Sequence, residues 1–152
     1  MNNGCDQGQM VLTELQKKGI AERLENNPIV KFVGVELVHV IAGQATLRLP
    51  YRDELNNSMG VVQGGILGVL ADVAGGVSLY SVLTDPSKVL IPTVEFKLNF
   101  LRPATREDVF GRGKVAHRGR QIAVCQVDIA TGAEVLLATG LFTYMIKHLS
   151  DV

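Results

Sequence analysis

Residues 61–83 read VVQGGILGVLADVAGGVSLYSVL, and the way this stretch is housed decides the fold. It is apolar on nearly every side and long enough to raise the question of a membrane span. Gln63, Asp72 and the frequent glycines speak against lipid as its solvent, because a carboxylate in hydrocarbon is costly. The spacing therefore predicts a helix over roughly Gly64 to Leu83, buried inside protein. A helix apolar around most of its circumference must be covered on most sides, and a curved antiparallel sheet wrapped around it does so.

The flanking sequence supplies that sheet. Thr93 to Leu101 alternates strictly, with Val94, Phe96, Leu98 and Phe100 on one face and Glu95, Lys97 and Asn99 on the other, the pattern of a half-buried antiparallel strand. Val109 to His117, Gln121 to Ile129 and Glu134 to Ile146 read as further strands, separated by Arg118-Gly119-Arg120 and Thr131-Gly132-Ala133. Upstream, Val33 to Ile41 and Gln44 to Leu49 form a hairpin around Ala42-Gly43. Before them, Met10 to Glu25 has helical spacing and stops at Asn26-Asn27-Pro28. The expected architecture is α+β, a long central helix wrapped by a curved antiparallel sheet: the hotdog arrangement. Residues 1–28 make an N-terminal helical segment and residues 29–148 the wrapped-helix domain.

The chain has 152 residues, 47% of them hydrophobic and 20% charged. This is one domain, able to fold on its own core without a staple or a metal. Fifteen Lys plus Arg balance fifteen Asp plus Glu, which argues against nucleic-acid binding that relies on phosphate neutralisation. Cys5 and Cys125 make no disulfide framework, and no Cys/His spacing suggests zinc; Cys125, in an apolar run, is expected to be a free buried thiol. The first ten residues lack the basic and apolar regions of a signal peptide. A cytoplasmic protein with no membrane segment is expected.

Asp72 is the one charge inside the central helix. A buried carboxylate must be paired, hydrogen-bonded or protonated. At 100° per residue its face holds Gly65, Gly68, Gly76 and Leu79, with Val69 and Gly75 at the margins, while Leu67, Leu70, Ala74, Val77 and Ser81 lie opposite. Each glycine costs up to about 1 kcal/mol of helix stability, so something must require close approach there, a partner backbone or a ligand running past the acid. Gly60-Val61-Val62-Gln63-Gly64-Gly65 opens the helix. Free N–H groups at a helix start, aided by the helix dipole, suit a developing oxyanion, and the Gln63 amide is a further donor. Asp72 lies eight residues beyond Gly64, about 12 Å along the axis, whereas a nucleophile or base and an oxyanion hole must converge within about 3 Å of one carbonyl. If both groups act, they come from different copies of the chain, and a two-fold dimer supplies two such sites.

Asn57-Ser58-Met59-Gly60-Val61-Val62-Gln63-Gly64-Gly65, then Leu70-Ala71-Asp72, and later Val94 through Ala104 (VEFKLNFLRPA) together resemble the hotdog acyl-CoA thioesterases of the PaaI-like, 4-hydroxybenzoyl-CoA thioesterase type. The resemblance spans Val33 to Met145. It implies a homotetramer built from dimers that hydrolyses thioesters of coenzyme A, the CoA being part of the substrate, without metal or other cofactor. It further implies Asp72 as catalytic carboxylate, Gly64 as the amide that polarises the thioester carbonyl, Asn57 as a polar positioning residue and Thr93 as a hydroxyl beside the acid. Gln63 stands where the family usually has histidine, so no imidazole helps Asp72. Gly65, Arg102 and the Arg118-Gly119-Arg120 loop are candidates for CoA contacts, guanidinium groups suiting phosphates. The alternative on the same fold is a non-catalytic acyl-CoA binding or sensing protein. A hotdog dehydratase needs a histidine–acid pair that is not found near Asp72, and there is neither a GxSxG elbow nor a P-loop.

Overall fold

A computed structural model describes residues 11–151; Cys5 and the Met10 end of the expected first helix lie outside the described residues. The chain runs α1 (Glu14–Glu25), α2 (Pro28–Val33), β1 (Glu36–Ile41), β2 (Gln44–Leu49), α3 (Gly64–Tyr80), β3 (Val89–Leu90), β4 (Thr93–Phe100), β5 (Val109–Arg118), β6 (Ile122–Thr131), β7 (Leu136–Met145) and β8 (Lys147–His148). Six strands form one antiparallel sheet in the order β1-β2-β5-β6-β7-β4, and β3 pairs with β8 in a small separate sheet. The sheet packs around α3, the long central helix. No helix among the described residues is long and apolar enough to cross a membrane.

The N-terminal helix starts at a capping box, in which the Gln16 amide donates to Thr13 Oγ1 at 3.2 Å and the Thr13 amide to Gln16 Oε1 at 2.9 Å. Asn26-Asn27-Pro28 does end α1, but it also begins α2. Asn27 Oδ1 accepts from the Ile29 and Val30 amides, with Pro28 in the first turn and Gly34 closing the helix at φ 84°. The strand expected from Val33 therefore begins at Glu36, because a good N-cap followed by proline is also a helix start.

Leu67, Leu70, Ala74 and Val77 of α3 are buried, as are Leu47, Val109, Val127 and Ile129 of the sheet. Close approach between these layers requires glycine on both. A Cβ at Gly113 in β5 would run into the Ala74 carbonyl, and one at Gly75 into the Tyr144 hydroxyl. Cys125 is free and buried.

At the sheet's edge, β4 departs from the half-buried strand that its alternation predicts. Its apolar face lacks a cover: Val94 is 53% exposed, Phe96 52% and Phe100 56%. On its inner side β4 pairs with β7 from Thr93↔Tyr144 to Phe100↔Ala138. Its outer side has no neighbouring strand among the described residues.

Candidate active site

The entry to α3 is held by backbone bonds that leave the first helical amides free. The Gln63 amide donates to the Leu55 carbonyl at 2.8 Å, and the Ile66 and Leu67 amides both reach the Gln63 carbonyl. The Gly64 and Gly65 N–H groups find no acceptor among the described residues. Gln63 is the N-cap, but its side chain makes no capping bond and is exposed. A Cβ at Gly65 or Gly68 would meet nothing within 4 Å, while one at Gly64 would lie 3.2 Å from the Phe100 ring. The glycines of the Asp72 face thus divide the work. Gly65 and Gly68 leave open space, whereas Gly75 serves helix–sheet packing.

That open space is a groove of about 720 Å³ between α3 and β4. Gln63, Gly64, Gly65, Gly68 and Asp72 line the helix side, and Thr93, Phe96 and Phe100 the strand side. Asp72 is half-buried. Thr93 Oγ1 donates to its Oδ1 at 2.8 Å, and the Tyr144 hydroxyl donates to its backbone carbonyl at 2.8 Å. Burial raises the Asp72 carboxyl above its ordinary pKa, with the Thr93 and Tyr144 hydroxyls pulling the other way. A carboxylate partly stripped of water and met only by neutral hydroxyls is a stronger base or nucleophile than one at the surface.

The remaining candidates fall into two groups at opposite ends of β4. Asn57 and Arg102 lie with Gly64 and Phe100 around a second, smaller depression of about 340 Å³. Asn57 Oδ1 accepts from the Met59 and Val61 amides at 2.9 and 3.4 Å, so in this chain it shapes the loop before α3. Arg102 Nη1 donates to the Leu136 carbonyl at 3.0 Å. Arg118, Gly119 and Arg120 form the tip between β5 and β6, and Arg118 is paired with Ala123. Ala123 faces Tyr144, which faces Thr93. The basic tip therefore belongs to the Asp72–Thr93 end of the sheet, three strands from β4. Within one protomer Asn57 and Arg102 do not line the groove that holds Asp72, and Gly64 lines it about 12 Å along the helix from the acid.

Three groove features were not read from the sequence. Phe96 stacks on Phe142 with ring centroids 4.9 Å apart, and Lys97 lines the groove. Tyr144 ties the last strand to the helix at Asp72, 72 residues away in sequence. Its only sequence signal is a phenol on the core-facing side of β7, which needs a buried partner. Among the described residues no group of three or more His, Cys, Asp or Glu side chains is placed to hold a metal ion.

Comparisons with known proteins bear on the family and the fold. A family model described as the thioesterase superfamily matches residues 59–138, a segment that holds Gly64, Asp72 and Thr93. A Halobacterium salinarum protein named "Putative esterase" is 30% identical over 118 residues, covering 76% of this chain and 78% of that protein. A 1,4-dihydroxy-2-naphthoyl-CoA hydrolase of Listeria monocytogenes is 24% identical over 115 residues, covering 76% and 92%. Among solved structures, a thioesterase family protein from Silicibacter pomeroyi aligns with a TM-score of 0.82 at 26% identity, over 88% of this chain and 98% of that one. The E. coli PaaI protein shares the fold, with a TM-score of 0.79 at 19% identity over 88% and 94%. With a family match over more than half its length and a sheet wrapped around one long helix, the chain belongs to the thioesterase superfamily and has the hotdog fold.

Proposed function

We propose that the protein hydrolyses acyl-CoA thioesters to the free acid and CoA, at sites built jointly by two subunits of a homodimer, with dimers pairing into a homotetramer. Thioester hydrolysis itself is what its superfamily does. The observation that carries the rest is the separation of the two halves of the site. Asp72 and the free Gly64 amide stand eight residues apart on one rigid helix, about 12 Å, and open onto one groove. The uncovered β4 edge supports a second subunit there. If β4 pairs with its own copy in antiparallel fashion, centred between Phe96 and Lys97, Thr93 of one protomer lies opposite Phe100 of the other. Each Asp72 then faces a foreign Gly64, Asn57 and Arg102.

In this site the Gly64 amide and the Gln63 side chain hold the thioester oxygen as negative charge develops on it. Asp72 either attacks the carbonyl, expelling CoA thiolate and leaving an anhydride that water opens, or takes a proton from the water that attacks. Thiolate is a good leaving group, so neither route needs a histidine acid, which accommodates glutamine at position 63. Neither route calls on a metal or a redox cofactor. In a single turnover in ¹⁸O-water, label appearing in the Asp72 carboxyl excludes the pure base route. Release of CoA thiol from a panel of aryl and aliphatic acyl-CoAs tests the activity. Tight binding without thiol release from any of them would replace it with the sensing role that the missing histidine favours.

Thr93 gives a graded prediction. Its hydroxyl stabilises the ionised acid, so Thr93→Val raises the Asp72 pKa further and moves the acid limb of the pH–rate profile to higher pH. On that acid limb, kcat/KM should fall by about tenfold, the scale of one hydrogen bond to a charged group. Thr93→Ser should keep the wild-type profile. A Thr93→Val profile superimposable on wild type would remove Thr93 from the site.

A further inference from the structure

A third, smaller cavity, of about 170 Å³, lies beyond the Asp72–Thr93 pair. Asp72 and Thr93 line both it and the main groove. Its walls are apolar, with Leu24, Val73, Val77 and Ile91 among them. Its other end is polar: Arg23 of α1 and Asn27, which caps α2, lie outside the segment matched by the family model, and Tyr80 of α3 lies within it. Arg23 of α1 sits 5.5 Å over the ring of Tyr80, which is eight residues past Asp72 on α3 and so about 12 Å further along the axis.

Arg23 is half-buried. Its Nη2 donates to the Pro86 and Val89 carbonyls at 3.2 and 2.8 Å. Its Nε and Nη1 have no acceptor, and it forms no ion pair, among the described residues. The same holds for two further donors beside it, Asn27 Nδ2 and Tyr80 Oη. A partly desolvated guanidinium facing a cavity with spare donors around it favours an anion there. A cavity of about 150 Å³ holds a benzene molecule, so this one has room for about six carbons.

We infer that this cavity receives the acyl chain, and that Arg23 selects acyl groups ending in a carboxylate: CoA monothioesters of dicarboxylic acids of about six carbons. The inference rests on the acyl-CoA hydrolase proposal above, because that places the thioester carbonyl at Asp72; CoA is then set on the groove side, where the larger space lies. The chain then runs from Asp72 towards Tyr80. Asp72, ionised at the near end, would repel an anionic acyl group unless a cation met it at the far end, and Arg23 is that cation.

The test compares adipoyl-CoA with hexanoyl-CoA, which have equal carbon counts and differ in the terminal group. Wild type should favour adipoyl-CoA in kcat/KM by roughly tenfold or more, the worth of one charge-assisted contact. Arg23→Gln should lower that ratio by about tenfold or more, and Arg23→Lys should restore most of it. An arginine that only docks α1 would change both substrates together and leave the ratio where it was. A wild-type ratio at or below one, or a smaller fall in Arg23→Gln, overturns the inference. Calorimetric binding of the same two esters to Asp72→Asn, with and without Arg23→Gln, reads the same ratio without turnover. If wild type releases CoA from neither ester, the hydrolase proposal falls, while the binding ratio still decides for or against the Arg23 pocket.

Discussion

Asp72→Asn should lower kcat by roughly 10²–10⁴-fold, the contribution of a positioned base or nucleophile, in a protein that still folds. Asparagine keeps the size of the side chain and an oxygen that can accept from Thr93 Oγ1, so the groove survives while the charge is lost. The same substitution has a stability signature whose sign follows from burial. Burial raises the Asp72 carboxyl in the folded protein above its ordinary value, so the folded state holds this proton more tightly than the unfolded chain does. Stability from this group therefore falls as pH rises from the unfolded carboxylate pKa through the folded one, and stays lowered above it. The neutral amide of the variant carries no such cost. The Tm of Asp72→Asn should exceed that of wild type at pH 8, and the gap should close as the pH drops below the carboxylate range. Turnover equal to wild type would remove Asp72 from the chemistry. A Tm below wild type at pH 8 would mean that the carboxylate contributes more to holding the fold than its burial costs.

Two inactive variants should restore activity to each other. Gly65→Leu places a side chain where a Cβ meets nothing within 4 Å, so the helix accepts it while the groove beside the Gly64 amide fills. Asp72→Asn damages only the acid half. When the two chains are mixed at equal amounts and allowed to exchange, half the dimers are hybrids, and each hybrid has one doubly damaged site and one intact site. About one quarter of wild-type activity should return, from parents that each retain on the order of 1% or less. Sites contained within single chains would give no recovery at all. Coexpression with two affinity tags, followed by assay of the doubly selected species, provides the measurement. A doubly tagged, folded dimer without activity would end the shared-site proposal.

Much of this architecture can be read from local pattern. The helix from Gly64 follows from its glycine pair and continuous apolar content, although it closes at Tyr80 rather than Leu83. Strands β4 to β7 lie within a few residues of their alternating segments, because turn residues bound them. Asp72 stands out as the lone charge on α3. Contacts that join distant segments leave no such trace. The two-residue strands β3 and β8 are too short to show a period. The Arg23 cavity exists because α1 is docked on the loop after α3, where Gln16 Nε2 reaches the Ser81 and Leu83 carbonyls, and nothing near Arg23 in sequence announces it. Asn27-Pro28 misleads for a different reason, since the residues that stop one helix also start the next. The apolar alternation of β4 correctly identifies a strand with an apolar face, but it does not say that no cover for it is found among the described residues.

That uncovered strand also bears on how the protein keeps its shape. Val94, Phe96 and Phe100 are each about half in water, and full burial of one such side chain contributes about 1.5–3 kcal/mol. A lone chain would forgo that contribution and present an open ladder edge prone to capture by other strands. If a second copy covers that edge, as proposed, mass action enters: dilution would act as a mild denaturant, and the melting point would climb with protein concentration.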